Sequence, residues 1–138
     1  MHWHPITAPP PPGGDVLLFN GRHVGLVTYQ PGRGADTDPP EETWDMHDYL
    51  LESALNPGTW RWAPLPGADA FRSGYPPVRR EVLVRLGPGQ HSTGTFDPDN
   101  RDAERTPDGW ILDDYSAAQP LPPERTWTWT AITLPDAP

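Results

Sequence analysis

The chain contains no cysteine and no lysine, and each absence closes a set of options. Without thiols there is no disulfide framework, no thiolate zinc centre and no cysteine nucleophile. Without lysine there is no Schiff-base chemistry, and all ten basic residues are arginine. No apolar run approaches the ~18 residues of a membrane span, and the amino-terminal residues show no signal-peptide pattern. The expectation is therefore a cytoplasmic protein without a membrane partner. A phosphate loop ending in Lys-Ser or Lys-Thr, a dinucleotide fingerprint, a zincin helix and a nucleophile elbow are missing too. No catalytic residue, cofactor or metal-ligand set is assigned, and the chain reads as a non-enzyme. Basic charge is scarce: 19 acids leave a net charge of −9, which argues against direct nucleic-acid binding because phosphate contacts need clustered cations.

What is abundant is tryptophan, proline and glycine, at 7, 21 and 13 residues. The absence of lysine beside so much proline and glycine fits GC-rich codon usage. With no disulfide to help, stability must come from apolar burial, and each buried aromatic removes roughly 150–250 Å² from water.

The second half of the chain is a diverged copy of the first. Val16-Leu17-Leu18 reappears as Val82-Leu83-Val84, and Trp44 with Asp48-Tyr49 reappears as Trp110 with Asp114-Tyr115. Thr59-Trp60-Arg61-Trp62 returns as Thr126-Trp127-Thr128-Trp129, and Leu65-Pro66 as Leu134-Pro135. The offset is roughly 66–69 residues throughout, which is the first thing to establish about any chain. A copy of about 65 residues is marginal by itself. Two modules, 1–68 and 69–138, packed as a pseudo-two-fold pair are therefore expected.

Within each copy the local signals favour β-structure. Residues 3–14 form an extended lead-in, with Pro9 to Pro12 in polyproline II conformation. Residues 15–19 and 23–29 read as a hairpin closed by a two-residue Asn20-Gly21 turn. The second copy repeats it as 81–86, a Gly87-Pro88-Gly89 turn, and a strand ending near Phe96. Residues 59–63 and 126–131 alternate strongly and read as closing strands. Residues 64–77, punctuated by Pro64, Pro66, Pro76 and Pro77, read as the linker.

The segment 41–55 has helix punctuation, with prolines before it, acids in its first turn and Asn56-Pro57-Gly58 after it. Its counterpart at 110–119 lacks these signals and could equally be a short strand, 110–113. The fold class is therefore mainly β, with one short helix near 41–55 as the α+β variant.

Two groups of side chains stand out. In Trp60-Arg61-Trp62 and Trp127-Thr128-Trp129, period-two alternation puts both indoles on one face of a strand. Trp60, Trp62, Trp127 and Trp129 are first read as core; the alternative is an exposed aromatic platform for a sugar or a partner protein. The acids cluster as well. Asp36, Asp38, Glu41, Glu42, Asp45, Asp48 and Glu52 share one stretch, and Asp97, Asp99, Asp102, Glu104, Asp108, Asp113 and Asp114 share its counterpart. These paired loops either keep the chain soluble or dock on a basic partner, in imitation of nucleic-acid phosphates. Asp97-Pro98-Asp99-Asn100-Arg101-Asp102 has the start of a calcium loop, but arginine stands where a ligand belongs and aspartate where the turn needs glycine. Of the five histidines, His2 and His4 can share a strand face, and His47 lies between Asp45 and Asp48.

Trp3-His4-Pro5-Ile6, Pro12, Val16-Leu17-Leu18 and Arg61-Trp62-Ala63-Pro64-Leu65-Pro66 together carry a family resemblance. The first copy resembles a family of unknown function found in tailed bacteriophages and prophages. Its members close on His-Trp-Met-Pro-Leu-Pro, and this chain departs from that pattern at Arg61 and Ala63. The resemblance implies a small β-rich fold in a phage or prophage setting and brings no known active site. Three functions follow as expectations. The first is a protein-binding accessory that docks acidic loops on a basic host or phage protein, as an anti-defence inhibitor would. The second is a small-ligand binder using an aromatic cleft between the copies. The third is a hydrolase working through Asp and His.

Overall fold

The computed structural model describes residues 1–30, 44–46, 60–100, 105–113 and 122–135. The fold is mainly β and divides into two compact units, Met1–Leu65 with the tail from Thr133, and Pro66–Ile132. The division falls a few residues before the module boundary read from the sequence, and the tail from Thr133, expected in the second module, belongs to the first unit.

The first unit is one antiparallel sheet. Its strands are β1 (His4–Pro5), β2 (Asp15–Phe19), β3 (Val24–Tyr29), β4 (Trp44–Met46) and β5 (Arg61–Pro64), in the order β1-β5-β2-β3-β4. The central hairpin pairs Leu18 with Gly25 and Phe19 with Val24. Its tip therefore falls on Gly21-Arg22, one residue later than the Asn20-Gly21 expected. The cause is the Asn20 side chain, whose Oδ1 accepts the backbone N–H groups of Arg22 at 2.9 Å and His23 at 2.7 Å. That local turn holds Asn20 before the tip. It leaves Gly21, at φ 94°, to take the left-handed position.

Val16, Leu18, Val27, Trp60 and Trp62 make the core on one face of this sheet, with Ile6 and Tyr29 packed against it. The alternate residues Leu17, Leu26 and Ala63 are buried as well. Burial on both faces explains why residues 16–18 form an unbroken apolar run instead of alternating.

The segment expected to be helical is a strand where it is described. Residues 44–46 form β4 and pair with β3, Tyr29 opposite Trp44 and Val27 opposite Met46. Backbone pairing with an available sheet edge outweighs the weak helix propensity that the punctuation suggested. The rest of 41–55 lies outside the described residues.

The second unit contains β6 (Val82–Gly87), β7 (Gln90–Phe96), β8 (Trp110–Leu112) and β9 (Thr128–Ala131), in the order β8-β7-β6-β9. The β6–β7 hairpin turns at Pro88-Gly89, with Gly89 at φ 69°, and carries a register shift between Arg85 and Gly87. Proline then glycine at the two central positions is the composition of a type II turn. Val82, Val84, Leu86, Phe96, Trp110, Trp127 and Trp129 form the core, with Leu112 against it.

Without β1, the first order reads β5-β2-β3-β4 and matches β9-β6-β7-β8 strand for strand. The registers agree in detail. Leu18 faces Trp62 as Val84 faces Trp129, and Tyr29 faces Trp44 as Phe96 faces Trp110.

Candidate functional site

In the second unit, the segment that leads into β6 is bound to the sheet at several points. Arg72 and Trp129 exchange two backbone hydrogen bonds of 2.9 and 3.0 Å, and the Arg79 N–H donates to the Phe96 carbonyl at 3.0 Å. Arg79 holds a left-handed φ of 66°, unusual for a residue with a Cβ. Between these anchors lies Tyr75. Its ring stacks on Phe96 with centroids 4.4 Å apart and planes 13° from parallel, and leans toward Trp110 at 6.2 Å. Phe96 meets Trp110 edge-on at 5.3 Å, and Trp110 meets Trp127 at 6.1 Å. A continuous aromatic path thus runs from the buried core to a tyrosine that is 56% exposed.

Two carboxylates border this exposed ring. The Tyr75 hydroxyl donates to Asp108 Oδ2 at 3.1 Å, and the Asp108 N–H donates to Glu124 Oε2 at 3.0 Å. Asp108 is held by a turn over 106–109, in which the Gly109 N–H donates to the Thr106 carbonyl and the Thr106 hydroxyl accepts the Trp110 N–H. Gly109 is required there: its φ is 111°, and a Cβ would run into the backbone of Pro98. Glu124 opens a short 3-10 turn, Glu124–Thr126, just before β9.

The hydrogen bond to Asp108, then partial desolvation, then the negative field of Asp108 and Glu124 raise the Tyr75 phenol above its usual value. The phenol therefore stays neutral and donating. The exposed face of the ring, beside two acids, is suited to a cation.

The acids singled out from the sequence are not brought together as one surface among the described residues. Asp97 is buried and structural. It pairs with Arg79 Nε at 3.3 Å, its N–H donates to the Gly109 carbonyl, and its own carbonyl accepts the Asn100 N–H. Asp113 is buried too, accepting the Thr93 hydroxyl at 3.0 Å. Asp99 is exposed, and Asp45 lies on β4. Asp36, Asp38, Glu41, Glu42, Asp48, Asp102 and Glu104 lie outside the described residues.

Trp60, Trp62, Trp127 and Trp129 are all buried, so these four indoles are core and not an exposed platform. Among the described Trp, Tyr and Phe side chains the exposed one is Tyr75, which falls in the segment read from the sequence as linker. The available signal was an aromatic set in Gly74-Tyr75-Pro76-Pro77, where a merely solvated linker has little use for one.

No group of three or more metal-ligating side chains converges among the described residues, and none of their helices is long and apolar enough to cross a membrane. Comparison with protein families, curated proteins and solved structures finds no match.

Proposed function

We propose that this chain is a non-enzymatic protein-binding module that takes a basic partner on the Tyr75 face of the second unit. The observation that carries the reading is the exposed Tyr75 ring, stacked on Phe96 and bordered by the carboxylates of Asp108 and Glu124. An arginine or lysine side chain laid on that ring gains from the π-face, and the two acids compensate its charge. The net charge of −9 adds long-range attraction for any cationic surface. A phage or prophage accessory role, including that of an anti-defence inhibitor, rests on the closing signature at 61–66 and adds a setting to this reading, not a mechanism.

A defined probe tests it: a fluorescent arginine-rich peptide, with a glutamate-rich peptide of equal length as control, titrated at low and high salt. Tyr75→Ala should weaken binding of the basic peptide about two- to fivefold, the value of an exposed cation–π contact. Asp108→Asn with Glu124→Gln should weaken it further and flatten the salt dependence. Equal binding by wild type and all variants would overturn the site. If neutralising Asp36, Asp38, Glu41 and Glu42 together abolished binding while Tyr75→Ala did not affect it, the partner surface would move to the first acidic stretch.

A further inference from the structure

The first unit holds a pair of imidazoles that the proposed partner site does not use. His2 and His4 flank Trp3 at the start of β1, and their rings meet on one side of the chain. Their ring centroids lie 4.6 Å apart, with planes 74° from parallel. His4 and the intervening Trp3 are anchored, while His2 is exposed. The His4 ring lies flat on Trp62, with centroids 4.6 Å apart and planes 28° apart, and His4 pairs with Trp62 across β1 and β5. Trp62 is buried, and its indole N–H donates to the Ala8 carbonyl at 2.8 Å. Trp3, pointing the other way, donates its indole N–H to the Thr133 carbonyl at 2.7 Å and packs against Phe19. The backbone between the two histidines is thereby held on one side while the imidazoles stand on the other.

We propose that His2 and His4 form a two-imidazole chelate for a borderline divalent transition-metal ion, with water completing its coordination. A metal–nitrogen bond of about 2.0–2.1 Å places each ring centre roughly 3.2 Å from the ion. Nitrogens at about 90–110° around the ion then set the ring centres ~4.5–5.2 Å apart. The observed 4.6 Å lies inside that window. Imidazole nitrogen selects copper(II), then nickel(II) and zinc, over magnesium and calcium, which demand oxygen. The site belongs to the first sheet only. At the corresponding edge of the second sheet Arg72 lies over Trp129, and a guanidinium cannot ligate.

The test is titration of the whole protein with copper(II) chloride in a non-coordinating buffer. Calorimetry reads affinity, and electron paramagnetic resonance counts the coordinated nitrogens. The expected result is one ion bound through two imidazole nitrogens at the tightest site. His2→Ala and His4→Ala should each weaken that site about tenfold or more, as expected when one arm of a chelate is lost. His2 is exposed, so His2→Ala leaves the sheet intact and keeps the test valid even if His4→Ala loosens β1. His23, His47 and His91 remain in both variants as internal controls. Unchanged affinity in His2→Ala, or a single coordinated nitrogen in the wild type, would overturn the proposal.

Discussion

The two sheets protect the outer edge of their closing strands with different devices. In the first, β1 lies along β5 and stacks the His4 imidazole on Trp62. In the second, a single residue does this work: Arg72 exchanges both backbone hydrogen bonds with Trp129 and sets its guanidinium 5.1 Å from the indole centre. Both arrangements close an edge that would otherwise offer unpaired backbone groups to another chain.

The next contrast lies on the far arm of each hairpin. Val27 stands opposite Val16 and Met46, whereas Gly94 stands opposite Val82 and Leu112. A Cβ on Gly94 would strike the Ile111 carbonyl, so β8 approaches β7 as only glycine permits. Strand order and register thus agree between the two sheets although the side chains along them differ widely.

The most forceful way to break this equivalence is to remove the large side chain each sheet is built around. Trp62→Ala and Trp129→Ala should each cost roughly 3–5 kcal/mol, as other aromatic-to-alanine core changes do. Against a total of about 5–15 kcal/mol for a domain, either loss should be plain in a thermal melt and in soluble yield. A melting temperature unchanged by Trp62→Ala would remove that indole from the core. A large loss in one variant alone would show that the two sheets share an order but not its energetic basis.

A finer cut uses the indole N–H groups, which the two units satisfy in opposite positions. In the first, Trp62 donates to Ala8, while Trp60 Nε1 is buried with no acceptor among the described residues. In the second, Trp127 donates to the Pro122 carbonyl at 2.9 Å, while Trp129 Nε1, like that of Trp110, is buried with no acceptor among the described residues. Trp62→Phe and Trp127→Phe should therefore be more destabilising than Trp60→Phe and Trp129→Phe. The margin should be about 0.5–1.5 kcal/mol by urea denaturation, the net worth of one hydrogen bond. Equal costs across all four would mean that the unpaired N–H groups find acceptors in solution.

The smallest effect sharpens the comparison at the surface, because the Tyr75 cluster belongs to the second unit. Ultraviolet difference titration should show a phenol ionising above the ordinary value of about 10 that disappears in Tyr75→Phe. Asp108→Asn should move it down by removing the carboxylate charge, which weakens the hydrogen bond and takes away part of the negative field. The sign for stability follows: a phenol raised in the folded state contributes fully below its unfolded value, and the contribution is lost as pH rises through the folded one. Failure of Asp108→Asn to move the transition would detach Tyr75 from its carboxylate.

Much of the architecture was legible because its signals are short-range. Alternation at 60–62 and 127–129, the apolar runs at 16–18 and 82–84, and the Gly-Pro-Gly turn at 87–89 each describe a strand or a reversal within a few residues. The helix expected near 41–55 misread the same kind of signal. Caps and propensity describe what a segment does alone, and at 44–46 the open edge of β3 decides otherwise. At Asn20 the turn chemistry was present in the sequence, but its side-chain hydrogen bonds moved the tip by one residue.

The acids show where local reading stops. Asp97 and Asp108 carry the same charge in the same stretch, yet one is buried against Arg79 and the other stands exposed beside Tyr75. Charge is a property of composition, whereas exposure is a property of packing.

The sequence by itself determined that this protein is built of β-hairpins stabilised by tryptophan, without thiols and with a strongly acidic balance. Those properties follow from residue type and from spacing within one strand or turn. Only the tertiary structure decided that Tyr75, Phe96, Asp108 and Glu124 meet on one face, and that His4 lies on Trp62. The physical reason is that these groups come from segments far apart in the chain, so their distances exist only once the sheets have formed.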